Sequence, residues 1–330
     1  MRLADTGELQ LLERLKRRFR ALSGGKPGLV VGIGDDAAVI RPGRRQMLLT
    51  TDMMVEDIHF DLRWTTPFQL GYKLVSRNVS DICAMGGSPE YLLLNYAAPA
   101  KTDLGHFDRF LDGLACAVEA YGISLIGGDM SVSVKTVLSA TVLGSAARVI
   151  KRSGAQQGDY IHVTGWPGDA AAGLSIMRHL RRPIPLETGV VPKTHLPWEV
   201  IEPLVRRHLM PVAVSPDGFA KHATAMIDIS DGLLMDLERL CRESGVGAKI
   251  WSDKIPISRG LAAASRLLKV APLELALGGG EDYELLFTSA SDTISGATCI
   301  GEIVRAGVKV LDPLGKHLKM NTKGYEHFGI

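Results

Sequence analysis

Four short acidic motifs carry most of the chemistry this chain could do. They are Gly34-Asp35-Asp36, Thr50-Thr51-Asp52, Gly127-Gly128-Asp129 and Asp228-Ile229-Ser230-Asp231-Gly232, and each follows an apolar run. Adjacent aspartates repel one another unless a cation or a hydrogen-bond network compensates them. Glycine beside them lets a ligand approach the backbone closely. Taken alone, Gly34-Asp35-Asp36 reads equally well as a solvated hairpin turn. Recurrence favours a different reading, in which strands deliver carboxylates at their ends to one polycarboxylate site. Such a site is tolerable only with hard cations. The expected chemistry is magnesium bridging bound phosphates.

Further residues fit that chemistry. Asn78 and Asp81 lie one helical turn apart and can point to the same place, as a packing pair or, beside so many carboxylates, as metal ligands. Ser230-Asp231-Gly232 opens a helix whose free N–H groups suit an anion. Lys151-Arg152-Ser153-Gly154 is a short cationic link, exposed or in contact with phosphate. Gly278-Gly279-Gly280-Glu281-Asp282 precedes a strand. The common alternatives are missing: there is no G-x-x-x-x-G-K-[ST], no H-R-D or D-F-G in a kinase context, and no H-E-x-x-H. The span Asp52 to Asp61 does not have the D-x-D-x-D-G spacing of a calcium loop.

The elements that must position these residues follow from periodicity. Leu11, Leu15 and Phe19 mark an opening helix whose basic face, Arg14 to Arg20, is expected in solvent. A strand is expected over 47–52 and an irregular loop with Glu56, Asp57, His59 and Asp61 over 53–64. Thr66, Pro67 and Gln69 form a capped helix start, and Gly86-Gly87 its stop. That helix carries Leu70, Leu74, Asn78, Ile82 and Met85 on one face. Strands over 91–98, 123–128 and 136–146 and a helix over 104–121 complete the first half. The second half alternates a strand (160–164), helices (169–180 and from about 198 to 208), a strand (226–229), a helix over 231–244 capped by Ser230 with Leu234, Leu237 and Cys241 inward, and a strand after the glycine triplet. The fold class expected is α/β, in two domains over 1–150 and 151–330.

The 330 residues, 46% of them hydrophobic, are enough for two cores. A formal net charge of +2 argues against a general nucleic-acid binder. Cys83, Cys116, Cys241 and Cys299 are far apart, so mostly buried, reduced thiols are expected rather than a disulfide framework or zinc ribbon. With no leader pattern at the N-terminus and no apolar run of about 18 residues, a cytoplasmic protein without membrane attachment is expected.

Seven ordered motifs carry a family resemblance over nearly the whole chain: G-I-G-D-D-A-A-V, T-T-D, N-V-S-D-I-C-A-M-G-G, I-G-G-D, K-R-S-G, I-D-I-S-D-G-L and G-G-G-E-D-Y-E-L-L-F. Together they resemble the thiamine-monophosphate kinase family, within a wider group of ATP-dependent enzymes that includes aminoimidazole ribonucleotide synthetase. The resemblance implies transfer of the γ-phosphoryl group of ATP to thiamine monophosphate. It implies a mixed sheet in the N-terminal half that forms a β-barrel across a homodimer, and a C-terminal half that completes the site. Carried over by position, Asp36, Thr50, Thr51, Asp52, Asp81, Asp129 and Asp228 would hold several Mg2+ ions, with Asp231 near a further ion. Gly128, Asp129, Arg152 and Ser230 would contact ATP, and His59, Glu281 and Tyr325 the thiamine phosphate.

On that reading the acceptor is a phosphate monoester with a second pKa of about 6, already ionised at neutral pH, so no general base is required. Asp52 and Asp129, through magnesium, and Arg152 would act electrostatically, offsetting repulsion between two anions. A cyclising ligase of the aminoimidazole ribonucleotide synthetase type and a non-catalytic metal-binding dimer are the alternatives. The motifs of the ligase are not the ones present, and the dimer leaves the ligand set unexplained.

Overall fold

The basic opening segment forms a helix because its apolar residues recur every four positions. After a short α1 (Leu3–Thr6), α2 (Glu8–Ser23) buries Leu11, Leu15 and Phe19. Its basic face is not all solvated, since Arg14 pairs with Asp108 at 2.8 Å and Arg18 pairs with Asp112. The computed structural model describes residues 2–6, 8–23, 28–31, 33, 38–320 and 324–325. The short antiparallel pair β1 (Leu29–Val31) and β2 (Val39–Ile40) flanks the first acidic motif. Asp35 and Asp36 themselves lie outside the described residues.

Next come β3 (Gln46–Val55), α3 (Pro67–Ala84), β4 (Ser88–Ala98), α4 (Leu104–Ala120), β5 (Ser124–Val132) and β6 (Val137–Ala146). The four strands form one sheet in the order β3-β6-β4-β5, with β4 and β5 parallel and the other neighbours antiparallel, so the expected mixed sheet is present. Thr66 and Gln69 make the capping box reciprocally: the Thr66 hydroxyl accepts the Gln69 N–H, and the Gln69 side chain accepts the Thr66 N–H. On α3, Leu70, Leu74, Asn78 and Ile82 are buried as read, whereas Met85 lies one residue past the helix and is exposed. A Cβ on Gly71 would fall 2.2 Å from the Phe110 carbonyl and one on Gly113 1.8 Å from that of Phe68, so α3 and α4 cross at backbone contact. Tyr96 of the sheet packs edge-on to Phe107 at 5.0 Å.

The remaining elements are β7 (Tyr160–Thr164), α5 (Asp169–Leu180), α6 (Trp198–Leu209), β8 (Ala225–Asp228), α7 (Leu233–Ser244), β9 (Gly247–Trp251), α8 (Arg259–Leu268), α9 (Pro272–Gly278), β10 (Leu285–Ser289), β11 (Ala297–Val304), β12 (Val308–Leu311) and β13 (His317–Leu318). Their seven strands order as β13-β12-β9-β11-β7-β10-β8; β9 and β12 are parallel and the rest antiparallel. The alternation of strand and helix thus does not build a parallel sheet here. Leu285 and Phe287 of β10, beside the edge strand β8, anchor a core with Met226, Ile150, Ala223 and Ile294.

The chain divides into two compact units. One comprises Met1–Ile82, Gly87–Arg148 and Arg181–Val190, and the other Cys83–Gly86, Val149–Leu180 and Val191–Ile330. The excursion over 181–190 is fixed within the first unit. Gln69 donates to the Ile184 carbonyl at 2.6 Å, and Arg109 pairs with Glu187 at 2.9 Å. All four cysteines are free, with Cys83 and Cys241 buried, Cys299 partly buried and Cys116 exposed. Burial pushes the Cys83 thiol up to about 12, which keeps it protonated and unreactive. Among the described residues no helix is long and apolar enough to cross a membrane.

Candidate active site

In the first unit the acidic residues gather where α3 lies against β3. Successive side chains on a strand point to opposite faces, so Thr50 and Asp52 share the helix-facing side and Thr51 faces away. Thr50 donates its hydroxyl to Asp81 at 2.6 Å, and Arg77 pairs with Asp52 at 3.3 Å. Asn78 is fully buried, accepting the Asp52 main-chain N–H at 2.9 Å and donating to the Leu74 carbonyl. Its polar atoms therefore fix the helix to the edge strand, and the packing reading of Asn78 holds over the metal one. The Thr51 hydroxyl, on the other side, donates to the Ala140 carbonyl and accepts from Thr141.

The strands do not end at their carboxylates. Asp52 and Asp129 sit within β3 and β5, both of which continue past them, and only Asp228 closes its strand. Register places Asp52 in one row with Ala140, Leu94 and Gly128, and Asp129 in the next row with Asn95, Ser139 and Met53. Asp52 and Asp129 therefore face opposite sides of the sheet, three strand spacings or about 14 Å apart. Gly128, ahead of Asp129, has φ +150°, and a Cβ there would meet the Leu94 carbonyl at 1.8 Å. Close strand approach alone demands glycine at this position.

Of the polar loop after β3, His59 accepts the Val55 N–H through Nδ1 at 3.0 Å. The acids around it are spent on local contacts: Asp57 pairs with Lys135, Glu56 accepts the Thr136 N–H, and Asp61 pairs with Arg63. That pairing holds the Asp61 carboxyl below the usual carboxylate range.

In the second unit two motifs distant in sequence are laced together by backbone. Glu281 N–H donates to the Ser230 carbonyl at 2.8 Å, Tyr283 N–H to Ile229, and Ile229 N–H to Glu284. Ser230, Asp231 and Glu281 thereby share one turn beyond the paired ends of β8 and β10. Tyr325 joins them, its N–H donating to the Asp231 carbonyl at 3.1 Å while its ring stays about half exposed. Arg152, by contrast, is exposed, and its carbonyl accepts from Ser244.

The helix after Asp228 starts later than read. It begins at Leu233, with Gly232 as its cap, and Ser230 makes no cap bond. Asp236 takes that role: one carboxylate oxygen accepts the N–H groups of Ser230, Asp231 and Gly232 at 3.0–3.2 Å. The anion position expected for a ligand is thus filled by the chain's own carboxylate. Burial raises the Asp236 carboxyl above its usual range, and Arg239 opposes this from 2.7 Å while also pairing with Asp231 at 2.5 Å. Leu233, Leu237, Leu240 and Cys241 face inward, rather than Leu234.

Sequence reading missed Arg77, Arg207, His208, Asp236 and Arg239. For Arg77 a signal existed, since it lies one turn before Asp81 on the same helix. Among the described residues no three His, Cys, Asp or Glu side chains are gathered as a metal cage.

Both units match models of AIR synthase related proteins, the N-terminal domain model over residues 34–146 and the C-terminal domain model over 156–305. Two relatives named thiamine-monophosphate kinase align along the whole chain. That of Aquifex aeolicus is 34% identical, covering 99% of this chain and 100% of its own, and that of Salmonella typhimurium is 36% identical, covering 98% of both. A solved structure of AaThiL complexed with AMPPCP and TMP superposes with a TM-score of 0.74 at 34% identity, over 99% of both chains. The chain belongs to the thiamine-monophosphate kinase family.

Proposed function

We propose that this chain transfers the γ-phosphoryl group of ATP to thiamine monophosphate, giving thiamine diphosphate and ADP. The observation that carries this reading is the backbone lacing of Ile229–Asp231 to Glu281–Tyr283. It places the residues assigned to nucleotide and metal (Ser230, Asp231) against those assigned to the acceptor (Glu281, Tyr325). The acceptor needs no base, so the chain's task is to hold two anions in line and offset their repulsion. Magnesium is suited to this donor set, because it keeps water ligands and takes one or two carboxylates plus phosphate oxygens rather than a closed protein cage. In the first unit Asp52 and Asp81, with Thr50, form one candidate group and Asp129 another, and in the second Asp228 and Asp231 a third. Asp36 and Thr51 belong to the same assignment. When bound, the ions supply charge neutralisation across the transferring phosphoryl group. Gly128 and Arg152 complete the ATP contacts and His59 the acceptor contacts in this reading.

The protein is proposed to act as a cytoplasmic homodimer. The outer face of the four-stranded sheet supports the dimer: Met47, Leu49 and Met53 are each more than 40% exposed on one side of β3. The test is to incubate protein with magnesium-ATP and thiamine monophosphate and quantify both products, with unphosphorylated thiamine as control. Equal thiamine diphosphate and ADP from the monophosphate alone is expected. No thiamine diphosphate from protein that still binds ATP would turn the assignment toward the cyclising ligase or the non-catalytic dimer.

A further inference from the structure

The loop that carries Glu281 is not self-supporting. Glu281 and Tyr283 both have left-handed backbone, at φ +66° and +52°, which non-glycine residues adopt only when their surroundings enforce it. The main-chain bonds to Ile229 and Ser230 are one part of that enforcement. The other comes from two adjacent residues at the C-terminal turn of α6. Nδ1 of His208 lies 3.2 Å from Oε2 of Glu281, a close polar approach outside hydrogen-bond geometry, the histidine 6% and the glutamate 25% exposed. Arg207 pairs with Glu284 at 2.8 Å and reaches the Asp282 carbonyl at 3.4 Å. Glu284 is itself held by the Thr164 hydroxyl at 2.5 Å, and Asp282 accepts the Gly168 and Ala170 N–H groups. The four consecutive acidic or strained positions Glu281 to Glu284 are therefore fixed from outside the loop, and only Glu281 keeps an accessible part.

Resting on the reading of Glu281 as an acceptor contact, we propose that His208 is a positioning residue for acceptor recognition. It holds one oxygen of the Glu281 carboxylate so that the other is presented to thiamine monophosphate in a single orientation, while Arg207 fixes the backbone that follows. A carboxylate on a loop has free rotation about three side-chain bonds. Anchoring one oxygen removes most of that freedom before the substrate arrives, which strengthens substrate binding without a new contact.

The test compares His208→Asn, His208→Gln and Glu281→Gln in full-length protein, with KM measured separately for each substrate. Asparagine keeps a nitrogen near the Nδ1 position and glutamine does not. His208→Gln is expected to raise KM for thiamine monophosphate about tenfold with KM for ATP within about twofold. His208→Asn is expected to stay near wild type in both, and thermal unfolding of the two variants to be alike. Equal acceptor KM values for His208→Asn and His208→Gln, with Glu281→Gln raised, would overturn the positioning role. If Glu281→Gln itself leaves the acceptor KM unchanged, the assignment of Glu281 fails instead.

Discussion

A carboxylate's value to this protein depends on what already neutralises it. Asp52 has Arg77 beside it at 3.3 Å, whereas Asp129 is exposed on the opposite face. If each serves a different ion, as proposed, loss of either should be severe and separable. Asp52→Asn and Asp129→Asn are each expected to lower kcat/KM by roughly a hundredfold or more, with the magnesium concentration for half-maximal rate raised. Near-normal turnover with unchanged magnesium dependence would remove the residue from the metal site. Asp169 gives a prediction about stability. Burial raises its carboxyl from 3.8 to about 6, even though the Ser258 hydroxyl and Arg207 favour the charged form. Between those values the unfolded chain has released the proton and the folded one has kept it, so the contribution of Asp169 to wild-type stability falls as pH rises from about 4 to about 6. Asp169→Asn keeps an oxygen for Ser258 and has no proton to release. Its stability relative to wild type is expected to rise across that interval by at most about 3 kcal/mol, measured by denaturant unfolding at each pH. A flat difference would show that Asp169 ionises alike in both states.

At the scale of elements, the helices were legible where a single chain segment specifies them. The Leu11-Leu15-Phe19 stripe and the Thr66–Gln69 capping box need no distant partner, and both appear as read. The start of α7 was misread because its cap comes from Asp236, inside the helix, rather than from Ser230 before it. Strand limits were misread for a similar reason. All ten residues of β3 pair with β6, so the strand runs three residues beyond Asp52 because its neighbour does. The candidate residue types were therefore legible, but the faces they occupy were not, since face follows register and register is a property of the whole sheet. Gly128 shows the same dependence. Gly128→Ala puts a methyl group into the Leu94 carbonyl at a left-handed backbone position, and a loss of roughly 2–4 kcal/mol in unfolding free energy is expected. Unchanged stability with lost ATP affinity would mean that the strands can part and that the glycine serves the ligand alone.

For the whole molecule, the open question is what covers the exposed side of the β3-β6-β4-β5 sheet. Leu49 is 66% and Met53 53% exposed on it, and both project from an edge strand. In a homodimer built on this face, paired charges there would be costly, whereas in a lone protomer they would stand in water. Leu49→Lys with Met53→Lys is expected to convert the proposed dimer to monomer in sedimentation equilibrium while leaving the thermal transition of the protomer in place. A wild-type protein that sediments as a monomer would refute the dimer itself.

The excursion over 181–190 also bears on how the chain is made. Unit one has its last strand by Ala146, but Ile184 and Glu187, which tie down Gln69 and Arg109, are synthesised only after β7 and α5 of unit two. A nascent chain emerging in order cannot finish its first unit before it has begun its second. The two units therefore mature as overlapping events, and a gene fragment ending near residue 150 would encode a first half that lacks its own fastening.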